Sequence, residues 1–259
     1  MWRQSFLTTM KTRLLIFLCL FGTLAATAQV DSTAVLTVDE PVKAITVGEN
    51  ISKKEYNLNY AHHSFSAALP IATVGLALIP IDQYVREGVM TNMPNFKTSV
   101  DDYMQYVPWA AHLTMGLCGV EGVSKSRYQV LVADAFAAVM MAATVNGLKY
   151  TINRTRPNGA NASFPSGHTA TAFAGATLLA HEYGHRSIWI PIAGYSLATA
   201  TGVMRVLNNR HYVSDVIVGA AVGILTAELA YWVTDAIFKD WKIVKSGRGR
   251  IHNEIIRNY

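Results

Sequence analysis

Three short polar stretches carry residue types that could do chemistry together: KYTINRTRP from Lys149, PSGH from Pro165, and MRVLNNRHYVSD from Met204. Among their residues are the cations Lys149, Arg156 and Arg205, the imidazoles of His168 and His211 and the carboxylate of Asp215. Forked guanidinium groups and a point-like ammonium suit the oxygens of a phosphate. Ser166 and Gly167 fall where a helix would begin, so their backbone amides add donors for negative charge. His211 and Asp215 stand four residues apart, the helical spacing that lets a carboxylate meet an imidazole. With Asp215 bonded to one ring nitrogen, the other is left unprotonated and oriented for attack. His168, on a separate stretch, could then protonate a departing alkoxide. Taken singly, each element has a plainer reading. A lone Lys149 or Arg156 is a flanking cation, Pro165-Ser166-Gly167 is a turn and helix cap, and one His–Asp pair is as often structural as catalytic. Arg154 and Arg210 read only as solvated charge and are left outside the site.

These stretches lie at the ends of apolar blocks, which must position them. The blocks run Phe65 to Ile81, Val107 to Val120, Val130 to Leu148, Gly167 to Ala180, Ile188 to Met204 and Val216 to Phe238. They are rich in Ala, Gly and Thr and too long for typical strands, which predicts an all-α bundle of about six core helices. Small residues permit close helix contact within a bilayer, so the bundle is expected to be membrane-embedded, although a compact soluble bundle could share this composition. Lys125 and Arg127 precede the third block, Arg186 follows the fourth, and a basic tail follows the sixth. If those loops are cytoplasmic, all three polar stretches lie at the opposite, outward side.

The chain of 259 residues is 51% hydrophobic and 15% charged, which excludes a disordered class. Its mean hydropathy of +0.22 leaves both membrane and Ala-rich soluble classes open. Arg3, Lys11 and Arg13, then Leu14 to Phe21, then Ala26-Thr27-Ala28 read as a secretory signal over residues 1–28. Residues 29–62 lack a sustained period and read as an extended arm, followed by a helical domain over 63–240 and a basic tail over 241–259. The formal charge of +5 is concentrated in that tail, without the interleaved aromatics of a nucleic-acid surface, so an anionic membrane is the expected neighbour and no nucleic acid. His62, His63, His112, His181 and His185 show no metal-ligand spacing with Cys or carboxylates, so no zinc or other cofactor is expected. With the signal removed, Cys118 is the one remaining cysteine and packing must supply the stability.

Together the three stretches resemble the signature of the type 2 phosphatidic acid phosphatase superfamily, K-x6-RP, PSGH and SR-x5-H-x3-D, in the family's order. This superfamily also includes bacterial non-specific acid phosphatases and vanadium haloperoxidases. The resemblance covers about Leu131 to Phe238. It implies that Lys149, Arg156 and Arg205, helped by Ser166 and Gly167, hold phosphoryl oxygens. It also implies His211 as nucleophile through a phosphohistidine, Asp215 as its partner and His168 as general acid. Met204 departs from the family's Ser and removes one potential hydroxyl contact.

The expected activity is metal-independent removal of phosphate from a lipid phosphate, such as phosphatidic acid, phosphatidylglycerol phosphate, undecaprenyl diphosphate or lipid A. The expected place is the inner membrane, with the site facing the periplasm. A soluble secreted acid phosphatase is the alternative, and a vanadate-dependent haloperoxidase ranks behind it. An outward site after a cleaved signal requires that one early block, either Phe65 to Ile81 or Val107 to Val120, does not cross the bilayer.

Overall fold

A computed structural model describes residues 67–124 and 126–257, with side chains as far as residue 238. The expected signal, the arm and Lys125 lie outside the described residues, as do the side chains of the basic tail. Every described element is helical, with α1 spanning Ala67–Ala77 and α2 Asp82–Asn92. A 3₁₀ turn over Ile79–Ile81 joins them, and the two axes meet at 41°. Pro80 in that turn explains the bend, because its ring removes a backbone donor and clashes with the preceding turn. The short α3, Val100–Met104, follows, then α4, Val107–Leu117, with Pro108 in its first turn.

The three longest elements and the core helix supply the frame. α5, Arg127–Ile152, starts where Ser126 Oγ accepts from the Gln129 amide and stops at Asn153, whose left-handed conformation (φ 42°) Asn tolerates. α6, Gly167–Tyr183, is capped by Ser166. A 3₁₀ turn at Gly184–Arg186 leads to α7, Trp189–Leu207. α8 runs Val213–Arg257, so the backbone of the basic tail continues the last helix as far as Arg257.

α6 is the axis of the molecule and packs against α4, α5, α7 and α8. Its Ala170, Ala172, Ala174, Ala176 and Ala180 are all buried, which is how a helix that is apolar on every side must sit. Close approach has a visible requirement at Gly175, where a Cβ would fall 2.1 Å from Trp109 Cδ1. Trp109 in turn donates from Nε1 to the Thr171 carbonyl at 2.7 Å, pinning α4 to α6.

Among the described residues three helices are long and apolar enough to cross a membrane: Arg127–Ile152, Trp189–Leu207 and Val213–Phe238; the bent α1–α2 pair makes a fourth if taken as one span. The apolar stretch of α8 is 78% buried inside the protein, whereas that of α5 is only 28% buried, so α5 turns its apolar surface outward as a lipid-facing helix does. α4, with 11 residues, is about 16 Å long and too short for a hydrocarbon layer of about 30 Å.

The expected all-helical bundle is the observed architecture, with two differences. The first block stops at Ala77 and resumes beyond the Pro80 turn as α2, and the polar α3 has no counterpart among the expected blocks. Both additions reach the end of the bundle where the three polar stretches meet.

Candidate active site

The end of α5, the start of α6, the end of α7 and the start of α8 converge on one side, and α3 closes against them. Lys149 sits in the last turn of α5 and donates from Nζ to the Ala162 carbonyl at 2.6 Å. Arg156 belongs to the following loop, which folds on itself: its amide donates to the Ala160 carbonyl at 2.7 Å and its Nε to the Asn161 carbonyl at 3.1 Å. Burial, and then the neighbouring charges of Arg205 and Arg210, pull the Arg156 guanidinium below its ordinary pKa, with Asp215 opposing them. Such crowding of cations around a half-buried guanidinium is relieved by a bound anion.

His211 is buried beside these cations. Its amide and that of Arg210 both donate to the Arg205 carbonyl, at 3.3 and 3.0 Å, so the chain turns back sharply after α7. Asn209 makes that turn with φ 55°, a conformation Asn accepts readily. Burial pushes the imidazole pKa down to about 4, and Arg156 and Lys149 push the same way while Asp215 resists. A neutral ring nitrogen is therefore available in this cationic pocket above about pH 4.

Asp215 Oδ2 lies 3.6 Å from His211 Nδ1. This is ion-pair distance and longer than a hydrogen bond, so the expected direct bond between the two is corrected to a looser pairing. The carboxylate is held by other groups: Oδ2 accepts from Ser163 Oγ and from the Tyr212 amide (2.9 Å), and Oδ1 from Arg154 Nη1 at 3.0 Å.

Arg154 is therefore no solvated charge, and that expectation is overturned. Its Nη1 also donates to Ser214 Oγ at 2.8 Å and its Nη2 to Asp82 Oδ2 at 2.8 Å, while its guanidinium stacks 4.3 Å from the Tyr212 ring centroid. Asp82, at the start of α2, receives the Ser214 amide at 3.0 Å and the Ser214 hydroxyl. Two buried carboxylates from α2 and α8 are thus bridged by one guanidinium from the loop between α5 and α6.

The PSGH turn has a different use of its donors than expected. The Ser166 amide donates to the Asp215 carbonyl at 2.9 Å, which ties the start of α6 to α8 and takes that amide away from any anion. Ser166 Oγ accepts from Thr169 Oγ1 at 2.9 Å and caps the helix, leaving its own hydroxyl proton to donate. Gly167 lies in the first turn, whose amides have no carbonyl within the helix. The approach of α8 to this turn depends on Gly219, where a Cβ would stand 2.6 Å from the Ser166 carbonyl oxygen.

Arg205 and His168 are both engaged by α3. Arg205 Nη1 donates to Asp101 Oδ2 at 2.7 Å and to Asp102 Oδ1 at 3.0 Å, and its buried Nε has no hydrogen-bond partner. His168 Nε2 lies 2.9 Å from the same Asp102 oxygen. Asn208 clamps α3 in place by exchanging hydrogen bonds with Thr98 (2.9 Å in each direction) and donating to Asp101 Oδ1 at 3.1 Å. Arg210 remains at the exposed rim.

Residues 131–239 match the PAP2 superfamily. The chain belongs to the PAP2 superfamily. It is 43% identical over 207 residues to the Lipid A 1-phosphatase of Porphyromonas gingivalis, a match covering 78% of this chain and 46% of that protein. The chain thus spans about half the length of that curated relative. Similar solved structures are Aquifex aeolicus LpxE and the transmembrane PAP2-type phosphatidylglycerolphosphate phosphatase of Bacillus subtilis. The first is 23% identical with a TM-score of 0.44, over 56% of this chain and 92% of that one. The second is 17% identical with a TM-score of 0.40, over 70% of this chain and 96% of that one.

Within this PAP2 chain, all the motif residues lie at one end of the bundle. The carboxylates of Asp82, Asp101 and Asp102 were not foreseen. They lie upstream of the PAP2 match, on elements that apolar periodicity does not reveal. For Asp82 a signal existed, since an acidic residue directly after the Pro80 turn is a common helix start. Nothing in the sequence separates Asp101 and Asp102 from a solvated pair.

Proposed function

We propose that the chain is a lipid phosphate phosphohydrolase of the bacterial envelope, acting through a phosphohistidine on His211. The observation that carries the reading is that His211, which senses the charges of Arg156 and Lys149, shares one end of an apolar bundle with Arg205 and His168. The name of the Porphyromonas gingivalis relative supports lipid A as the substrate class, a phosphate on a sugar with its acyl chains in lipid.

Lys149, Arg156 and Arg205 hold the non-bridging oxygens, assisted by the Ser166 hydroxyl and the Gly167 amide. Asp215 keeps the Nδ1 side of His211 oriented, so the Nε2 lone pair forms the N–P bond as the bond from phosphorus to the leaving oxygen breaks. A proton from His168 passes to that oxygen, releasing a neutral alcohol. His168 then takes a proton from water, whose oxygen attacks phosphorus, and the N–P bond breaks to free His211 and inorganic phosphate. The cations are the protein's own, and no cofactor enters the scheme. In this reading the substrate's phosphate sits at the membrane surface on the periplasmic side; helices of spanning length support the membrane location.

The test is phosphate release from lipid A and from other lipid phosphates by detergent-purified protein, with acid-quenched trapping of phosphoenzyme. His211→Ala is expected to abolish both turnover and trapped label. Normal turnover in that variant refutes the mechanism.

A further inference from the structure

Asp102 has a position that its neighbour does not explain. Asp101 is fully buried and by itself gives Arg205 a carboxylate at 2.7 Å and fixes α3 through Asn208. Asp102 adds a second carboxylate to the same guanidinium nitrogen, 49% exposed at its side chain, with the shared oxygen 2.9 Å from His168 Nε2. As His168 gives up its proton, one cation is left facing two anions, with an excess negative charge beside the imidazole.

We propose that Asp102 is a specificity-determining residue that selects phosphomonoesters of neutral alcohols against diphosphates. The inference rests on the phosphatase reading, with His168 as proton donor to the leaving oxygen. An oxygen that receives this proton lies about 3 Å from a ring nitrogen of His168. Asp102 holds Nε2, so the proton leaves from Nδ1 and the next atom of the leaving group lies across the ring from the Asp102 carboxylate. In a monoester that atom is carbon, and the protonated leaving group is neutral. In a diphosphate it is phosphorus bearing anionic oxygens, roughly 7–9 Å from the Asp102 charge. Arg205 does not offset the repulsion, because Asp101 already balances it. At a separation of about 8 Å and a dielectric of about 30, nearer protein surface than water, each unit of like charge costs about tenfold in rate. The phosphoryl group being transferred is common to both substrates, so its own interaction with Asp102 cancels in their ratio.

The test compares initial rates of loss of a lipid monophosphate and of the diphosphate with the same tail, farnesyl phosphate and farnesyl diphosphate, in one detergent. Asp102→Asn keeps an oxygen for His168 and Arg205 and removes the charge. The ratio of kcat/KM for diphosphate over monophosphate is expected to rise about tenfold in this variant. A change below about twofold overturns the proposal. Should the variant lose turnover, relative affinities for methylenediphosphonate and methylphosphonate in both proteins make the same comparison, and an unchanged ratio is again fatal. Wild-type protein that releases phosphate from neither these lipids nor lipid A removes the phosphatase reading and this inference with it. Wild-type protein active on the monophosphate, with an unaltered ratio in Asp102→Asn, removes this inference alone.

Discussion

Replacing Arg154 by Ala examines how Asp215 is held. The side chain makes three contacts in one fork: Nη1 to Asp215 Oδ1 at 3.0 Å, Nη1 to Ser214 Oγ at 2.8 Å, and Nη2 to Asp82 Oδ2 at 2.8 Å. The two carboxylates it bridges are 1% and 0% exposed, so water cannot readily take its place. Removing one partner of a buried ion pair costs about 3–5 kcal/mol, because the remaining charge is left uncompensated. Arg154 itself is 23% exposed, which admits some screening and favours the lower figure of about 3 kcal/mol. For a body of this size that corresponds to a fall in Tm of roughly 6–12 °C, read by thermal unfolding in detergent. Activity is expected to fall more than about tenfold even well below the variant's Tm, because Asp215 loses a fixed partner. Arg154→Lys keeps the charge but not the fork and falls between. Adding Asp82→Asn to Arg154→Ala removes one orphaned carboxylate and recovers part of the stability. An Arg154→Ala protein that melts within about 2 °C of wild type shows that the two carboxylates do not depend on this guanidinium, and the reasoning fails.

The lowered pKa of His211, about 4, means that the nucleophile is neutral at ordinary pH and is lost by protonation as pH falls through that value. The acid limb of kcat/KM, corrected for substrate ionisation, is therefore expected near pH 4; a limb near the ordinary histidine value contradicts the burial argument. Gly219→Ala places a methyl 2.6 Å from the Ser166 carbonyl and is expected to cost about 1–3 kcal/mol and most of the activity, whereas Gly147→Ala, with nothing within 4 Å, should be neutral or slightly stabilising. Comparing melting and turnover of the pair checks whether the α8 approach matters; equal effects exclude it. An outward-facing site is checked by Asn158→Cys in a Cys118→Ser background. Labelling by an impermeant maleimide in intact cells is expected, and labelling only after lysis places the loop on the other side.

Much of the molecule was legible from short-range pattern. Apolar blocks of helical length predicted the observed helices α4 to α8, and Ser126, Ser166 and Asn153 mark helix boundaries by local hydrogen bonding and backbone preference. The residues of the three polar stretches were likewise readable, since their chemistry resides in residue type and their spacing in helix geometry. The uses of individual donors were not. Whether the Ser166 amide faces an anion or the Asp215 carbonyl depends on how closely α8 approaches, which Gly219 permits but does not dictate.

The sequence by itself determined a helical chain with a cationic, two-histidine set of residues, because period, capping and residue chemistry are local properties. Only the tertiary structure decided which charges meet. Asp82 reaches Arg154 across 72 residues, and Asp102 reaches His168 across 66 and Arg205 across 103. Pairings of that range are set by the packing of α2 and α3 against the ends of α7 and α8. A single-residue signal cannot tell such a buried acid from one in water, because the difference lies in desolvation and in the partner that the fold brings to it.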